Sequence, residues 1–220
     1  MSYVCEHADE LIKNNQTPAA LYLAVDCCWQ AEKYQQCLEL MSKYKYLFVG
    51  EMLPSYLLRL KVYCQQRLGL IPESITDANA LFNRDNNSEN LLVLIETYYR
   101  EGNLKQVAST SYKLLERKDI IPSNLLKTAR LVLIEDKDLA VKLWQKAIEL
   151  EIEPWLVGEV IDLGFRLGID RKTSPFLHRD YSQDTQKDSP LKSFSIQEVL
   201  SHHQEHQKFI HSINDRYEKA

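Results

Sequence analysis

Apolar residues recur along most of the chain at the three- and four-residue intervals that mark one face of an α-helix. In the segment that begins at Ala20, for example, Leu21, Val25 and Cys28 share one face. The alternating runs of Val, Ile and Thr that are typical of β-strands are missing. Only six of the 220 residues are glycine, the residue that weakens helix interiors. The pattern predicts an all-α protein.

The same helical face returns every thirty-five residues. Its four sets are Leu21/Val25/Cys28, Tyr56/Leu60/Tyr63, Leu91/Ile95/Tyr98 and Leu126/Arg130/Leu133. Eleven of these twelve positions are apolar or aromatic, and Arg130 is the exception. A short turn and a second amphipathic helix follow each of these first helices. Glu32-Lys33-Tyr34 and Gly102-Asn103-Leu104 occupy the same place in two repeats, seventy residues apart. The turn near IEDKD, residues 134–138, is shorter than the strict period requires by about two residues. The sequence therefore predicts a repeat domain over residues 1–169 with about four to five helix pairs.

This arrangement resembles the tetratricopeptide repeat, a helix–turn–helix unit of about 34 residues. The residues that carry the resemblance are Tyr98 and Gly102 in LLVLIETYYREGNLKQV, the small–aromatic–small set Ala140, Trp144 and Ala147, and the pair Leu163-Gly164. The resemblance covers about residues 5–168. It implies a right-handed α-α superhelix, a solenoid in which each helix pair is buried by its neighbours. Val25, Leu60 and Ile95 stand where the family usually has a small residue, which predicts wider helix spacing.

The segment DKDLAVKLWQKAIELEIEP, residues 136–154, places Ala140 and Ala147 on the same helical stripe as Trp144. Small residues beside an indole suit either a ligand pocket or close packing against a neighbouring helix. The resemblance favours packing, with the indole filling the gap where helices of adjacent pairs approach each other. We therefore predict that Trp144 stabilises the fold and does not contact a ligand.

The character of the chain changes after residue 169. The segment 170–194 is polar and lacks helical periodicity, which predicts a linker. Ser195 and Glu198 then form a capping box, and an apolar stripe predicts an amphipathic helix over 195–220. The run from LGFRLGIDRKTSPFL through this helix resembles large bacterial proteins that join such repeats to a PIN-type nuclease domain, although the PIN acidic site is missing here.

Composition restricts the class of partner. The chain is 45% hydrophobic and 26% charged, with 27 basic and 31 acidic residues and a formal net charge of −4. The lack of a basic excess argues against nucleic acid as the partner of this chain. The N-terminus has no secretory signal, and no stretch approaches the ~18 apolar residues of a membrane span. We expect a soluble cytoplasmic protein that does not bind membranes.

The cysteines are expected to be reduced. All five, Cys5, Cys27, Cys28, Cys37 and Cys64, lie in the first third of the chain. Their spacing fits neither a disulfide framework nor a CxxC metal pair. Cys28 and Cys37 fall on apolar helix faces, where a free thiol acts as a small hydrophobic group.

The sequence carries no pattern that is typical of catalysis. His202 and His206 lie four residues apart on one predicted helix, a geometry that can hold zinc, but no HExxH pattern accompanies them. GxSxG and the Gly-rich phosphate-binding loops are missing. A solvated surface explains the histidines better than a metal site does. We expect no catalytic residue, no metal and no cofactor.

The resemblance places a binding groove on the first helices, whose residues off the packing face line the concave surface in the family. Carried onto this sequence, those positions are Tyr22, Asp26, Trp29, Gln30, Leu57, Lys61, Gln65, Leu92, Glu96, Tyr99, Arg100 and Lys127. The mixture of aromatic, acidic and basic groups suits an extended peptide. It lacks the dense Lys/Arg set that clamps a C-terminal carboxylate. For Trp29 and Tyr99, packing between repeats is the alternative.

Three functions are compatible with this pattern. The first is a non-catalytic scaffold that binds a peptide or a partner protein on the concave groove. The second is a regulatory or spacer module of a larger multidomain enzyme, for example a nuclease, with the C-terminal helix leading into another domain. The third is self-association through helix 195–219.

Overall fold

The computed structural model describes residues 2–169. Over this range the chain forms eleven α-helices and four short 3-10 helices, with no β-strand, which confirms the all-α prediction. The predicted linker over 170–194 and the predicted helix over 195–220, with His202 and His206, lie outside the described residues.

The helices follow one another through short connections. They are α1 (Ser2–Glu6), α2 (Ala8–Asn15), α3 (Pro18–Gln30), α4 (Tyr34–Lys43), α5 (Ser55–Arg67), α6 (Ile71–Arg84), α7 (Ser88–Glu101), α8 (Leu104–Ser111), α9 (Pro122–Val132), α10 (Lys137–Glu149) and α11 (Val157–Leu167). The 3-10 helices are Lys45–Leu47, Val49–Glu51, Tyr112–Glu116 and Pro154–Leu156.

The chain divides into two compact units. In the described part, one unit comprises residues 2–120 and 131–139, and the other comprises 121–130 and 140–169. In the first unit, each helix from α3 to α7 packs on the next one along the chain. Helix α5 also packs on α7, while α1 and α2 both pack on α3. This order gives three helix pairs, with α3, α5 and α7 as first helices and α4, α6 and α8 as second helices.

Within the three helix pairs of the first unit, the spacing between the starts of the two helices is constant. The first helices begin at Pro18, Ser55 and Ser88, and the second helices begin 16 residues later, at Tyr34, Ile71 and Leu104. Helix α10 begins 15 residues after the start of α9, so that turn is one residue shorter, where the sequence suggested two. The connections from a second helix to the next first helix vary, and the one before α5 is the longest of those in the first unit.

The first helices share one type of C-terminal cap. Glu32 and Gly102 occupy the left-handed region, with φ of 56° and 80°. The next backbone N–H then reaches back to a carbonyl five residues earlier, from Lys33 to Cys28 (2.9 Å) and from Asn103 to Tyr98 (3.0 Å). This Schellman geometry satisfies carbonyls that the helix end leaves without a partner. The equivalence of the two turns, seventy residues apart, was predicted from the sequence and is confirmed.

The strict thirty-five-residue period misplaces the packing face of α5. Its turn residue Gly69 lies 37 positions after Glu32, because the long connection between α4 and α5 holds two 3-10 helices. Tyr56, predicted on the packing face, is therefore 47% exposed, whereas the next residue, Leu57, is completely buried. The predicted packing role of Tyr56 is wrong.

Helix α9 is also out of step with the period, by one residue. The completely buried residues of α9 include Leu125, Ala129 and Val132. They lie 104 residues after Leu21, Val25 and Cys28, respectively, and not 105. Arg130, the polar exception in the predicted pattern, is exposed, and its guanidinium lies 3.0 Å from the Glu159 carboxylate. Arg130 therefore lies off the packing face, and Ala129 occupies the position that the pattern assigned to it.

The five cysteines, all in the first third of the chain, lie in the core around α3. Cys27, Cys37 and Cys64 are buried free thiols. Cys5 and Cys28, however, form a disulfide, with Cα atoms 4.9 Å apart. The expectation that all five cysteines are reduced is wrong for this pair. The pairing arises because α1 packs on α3, a contact that the spacing of cysteines along the chain does not reveal.

Trp144 packs as the sequence predicted. Its side chain is only 3% exposed, and Ala140 and Ala147 beside it are completely buried. The indole Nε1 donates a hydrogen bond of 2.8 Å to the Val160 carbonyl of α11. A Cβ added at Gly164 would lie 3.2 Å from Cζ2 of Trp144, so glycine permits the close approach of α11 to the indole.

Candidate functional site

The candidate site is one surface on the first helices of the first compact unit, called here the aromatic–acidic face. Its members are Tyr22, Asp26 and Trp29 on α3, Tyr56, Arg59 and Tyr63 on α5, and Glu89 and Glu96 on α7. Equivalent positions lie 37 residues apart between α3 and α5, and 33 apart between α5 and α7. In this register Tyr22 corresponds to Arg59, and Asp26 corresponds to Tyr63 and Glu96.

Tyrosine side chains bridge α3 and α5 around the Asp26 carboxylate. The rings of Tyr22 and Tyr56 lie 5.9 Å apart between centroids, and Phe48 meets Tyr22 edge-on at 6.1 Å. The Tyr56 hydroxyl donates a hydrogen bond of 2.7 Å to Oδ1 of Asp26. This bond raises the pKa of Tyr56 to about 12, because ionisation would place a phenolate beside the carboxylate.

A second aromatic group lies about two turns further along α3 and α5 and includes Tyr34 at the start of α4. The Trp29 indole contacts the rings of Tyr34 and Tyr63, at centroid distances of 5.2 and 6.2 Å. Burial raises the pKa of Tyr63 to about 12, and the nearby Glu96 carboxylate adds to the shift. All three rings remain half-buried. Trp29 therefore packs between helices and also presents part of its indole at the surface.

The charges of α5 and α7 are arranged across the helix interface. Arg59 donates to the Glu89 carboxylate at 2.5 Å and to Oδ1 of Asn90 at 2.9 Å. The guanidinium charge is thus balanced by a carboxylate within the face itself. Asp26 and Glu96 are the other carboxylates of the face, so acidic side chains outnumber basic ones.

The predicted groove residues divide by exposure. The half-buried ones are Tyr22, Asp26, Trp29, Lys61 and Glu96, whereas Gln30, Tyr99, Arg100 and Lys127 are exposed. Lys127 belongs to the second compact unit and is not counted in the face.

Four predicted groove residues lie elsewhere. Leu57 is completely buried, and Leu92 is 8% exposed. Lys61 forms an ion pair of 2.8 Å with Asp77 on α6, and the buried Gln65 donates to the same carboxylate at 2.6 Å. The structure therefore corrects these assignments.

The register of α5 explains three of the corrections. Because α5 starts two residues later than the strict period requires, positions chosen thirty-five residues after α3 rotate towards the core and towards α6. The positions that do reach the face, Arg59 and Tyr63, were missed as groove residues, and Tyr56 was assigned to packing. Aligning the turn residues Glu32 and Gly69 would have found them, because these residues end the two first helices.

Neither a metal site nor a membrane-spanning helix is found in the described part of the chain. Across residues 2–169, no three His, Cys, Asp or Glu side chains are grouped as a metal site would require. None of the helices found there is both long enough and apolar enough to span a bilayer. What the aromatic–acidic face can do chemically is stack, donate and accept hydrogen bonds, and attract positive charge.

No protein-family model matches the chain, and no curated protein sequence matches it significantly. The resemblance to the tetratricopeptide repeat thus has its support in the residues themselves and in the helix pairs that they form.

Proposed function

We propose that this chain is a non-catalytic interaction module whose helix pairs continue as a right-handed, tetratricopeptide-like superhelix. In this proposal the aromatic–acidic face binds an extended segment of a partner protein. The observation that carries the proposal is the partial exposure of aromatic side chains on two adjacent first helices, Tyr22 and Trp29 on α3 and Tyr56 and Tyr63 on α5.

Half-exposed aromatic rings are suited to such a role. Tyrosine and tryptophan are enriched at protein interfaces because they offer large contact area and a polar edge with few rotatable bonds. Tyr22, Trp29 and Tyr56 present their rings between two helices that the core already holds in place. Little conformational entropy is then lost when a ligand covers these rings.

Peptide selection tests the proposal directly. A displayed library of random linear peptides is panned against the purified chain, and bound peptides are mapped by hydrogen exchange. We expect protection to appear on α3 and α5, and the Tyr56→Ala variant to weaken binding. Exposed aromatic residues at the centre of an interface contribute about 1–2 kcal/mol, or roughly tenfold in Kd.

Tyr112 provides a matched control. Its ring is 42% exposed, and its hydroxyl donates to the Asp136 carboxylate at 2.9 Å, so it repeats the chemistry of the Tyr56–Asp26 pair outside the face. Tyr112→Ala is expected to leave binding unchanged. Selected peptides that bind equally well to the Tyr56→Ala and unsubstituted chains, with protection away from α3 and α5, would refute the proposed face.

A further inference from the structure

Asp26 is a half-buried carboxylate with no basic partner in the part of the chain that the structure describes. It accepts one hydrogen bond, from the neutral Tyr56 hydroxyl. Within residues 2–169, none of the ion pairs that lysine and arginine form involves Asp26. A carboxylate offers about four acceptor positions, so most of its capacity is available. Partial removal from water without a compensating cation is unfavourable, and a cation supplied by a ligand would offset that cost.

The surroundings of Asp26 are aromatic. Tyr22 lies one helical turn before it on α3, Trp29 lies one turn after it, and Tyr56 covers it from α5. The rings of Tyr63 and Trp29 contact each other on the same side of these helices. Aromatic faces attract cations through the ring quadrupole, most strongly where water is partly excluded. The carboxylate and the rings therefore favour the same kind of ligand.

The remaining charges reinforce this preference. The only cation of the face, Arg59, is held by Glu89 and Asn90, so it does not balance Asp26. Glu96 lies close enough to Tyr63 to oppose ionisation of its hydroxyl. Negative potential thus extends from α3 to α7 across the aromatic rings.

We propose that the aromatic–acidic face recognises an arginine side chain in an extended segment of a partner protein, with the guanidinium bound to Asp26 and stacked on the neighbouring rings. This inference rests on the proposed function and names the chemistry of its ligand. Arginine fits better than lysine because its planar guanidinium both donates to a carboxylate and stacks on an aromatic face. A metal ion is disfavoured, since no group of three or more His, Cys, Asp or Glu side chains that could hold one is found within residues 2–169.

Fluorescence anisotropy tests the proposal with three labelled peptides. Each is the same short Gly/Ser sequence, and its two variable positions carry arginine, citrulline or glutamate. Citrulline keeps the shape of arginine and removes the charge. We expect saturable binding of the arginine peptide, weakened by salt, and at least about tenfold weaker binding of the citrulline peptide, as the loss of a charge-assisted hydrogen bond predicts. The glutamate peptide is expected not to bind.

Two substitutions that each remove one negative charge test whether arginine binds at Asp26. Asp26→Asn keeps an acceptor for the Tyr56 hydroxyl and removes the negative charge, and it should weaken binding of the arginine peptide about tenfold. Asp136→Asn makes the same change at the Tyr112–Asp136 pair outside the face, and it should leave Kd within twofold. Far-UV circular dichroism of both variants confirms that the fold is retained.

The outcomes separate this inference from the proposed function. Equal losses in both variants would show general charge attraction and overturn the arginine site, as would no saturable binding of the arginine peptide. If library peptides protect α3 and α5 but show no enrichment in arginine and no sensitivity to Asp26→Asn, the interaction module stands and the arginine site falls. If the library yields no peptide on this face, the proposed function itself fails.

Discussion

The contact between Trp144 and Gly164 makes a quantitative prediction about stability. Trp144→Ala removes an indole side chain that is only 3% exposed, together with its hydrogen bond to the Val160 carbonyl. A buried tryptophan covers about 150–250 Å². At about 25 cal/mol per Å², and after allowing for the retained Cβ and partial collapse, the loss is about 3–5 kcal/mol.

Gly164→Ala tests the geometry more sharply, because two effects oppose each other. Alanine favours a helix over glycine by about 1 kcal/mol. Its methyl group, however, would lie 3.2 Å from Cζ2 of an indole that is fixed by its bond to Val160, and overpacking of this kind costs about 1–3 kcal/mol. We expect Gly164→Ala to destabilise the unsubstituted chain by up to about 2 kcal/mol and to stabilise Trp144→Ala by about 1 kcal/mol.

Gly158 supplies the control for helix propensity. It lies on the same helix α11, and nothing stands within 4 Å of the position that its Cβ would occupy. Gly158→Ala should therefore stabilise both backgrounds by the same amount, up to about 1 kcal/mol.

Hydrogen exchange of the α11 amides is the appropriate assay, supported by urea denaturation followed by circular dichroism. It reports local opening, which matters because helical arrays need not unfold in a single step. The double-mutant cycle should give a coupling of about 1–3 kcal/mol between positions 144 and 164. If Gly164→Ala has the same effect in both backgrounds, the close approach of α11 to the indole is not what glycine permits.

Three further predictions concern the first compact unit. Reducing the Cys5–Cys28 disulfide, which closes a loop of 23 residues, should lower stability by about 3 kcal/mol in thermal or urea unfolding, and Cys5→Ser should abolish the difference between oxidised and reduced samples. Glu32→Gly should stabilise the chain by up to about 1 kcal/mol in urea unfolding, because glycine adopts a φ of 56° without steric cost; unchanged or lower stability would count against this cap. The pKa of Tyr56, about 12 in the folded chain against an ordinary value of 10.0, means that its bond to Asp26 contributes stability fully below about pH 10 and loses it as the pH rises towards 12. Ultraviolet titration should show one tyrosine whose high pKa falls in the Asp26→Asn variant, and a titration unaffected by that change would contradict the assignment.

The helical class and the paired arrangement could be predicted from the sequence because they depend on local periodicity. Leu21, Val25 and Cys28 mark a helix face whatever follows them, and all three are completely buried. The turn residues Glu32 and Gly102 were likewise identified by position, since a left-handed cap is a local event. Such features need no knowledge of how far the next helix is displaced along the chain.

The rotation of each helix about its axis was harder to predict. Two additional residues before α5 leave its helical pattern intact but turn a different face towards α3, since each residue advances a helix by about 100°. Leu57 therefore moved from the predicted groove to the core, and Tyr56 moved from the core to the surface. The Cys5–Cys28 pair was missed for a similar reason, because it depends on where the short helix α1 lies on α3.

The three tryptophans of the chain provide optical reporters for its two compact units. Trp29 lies in the first unit, against tyrosine rings that can quench it or transfer energy to it. Trp144 lies in the second unit, shielded from water, while Trp155 is 70% exposed there. A blue-shifted emission band should therefore come from Trp144, and its red shift should report loosening of the second unit while circular dichroism still records intact helices. Ordinary fluorescence can then reveal whether the two parts of the molecule melt together or in sequence.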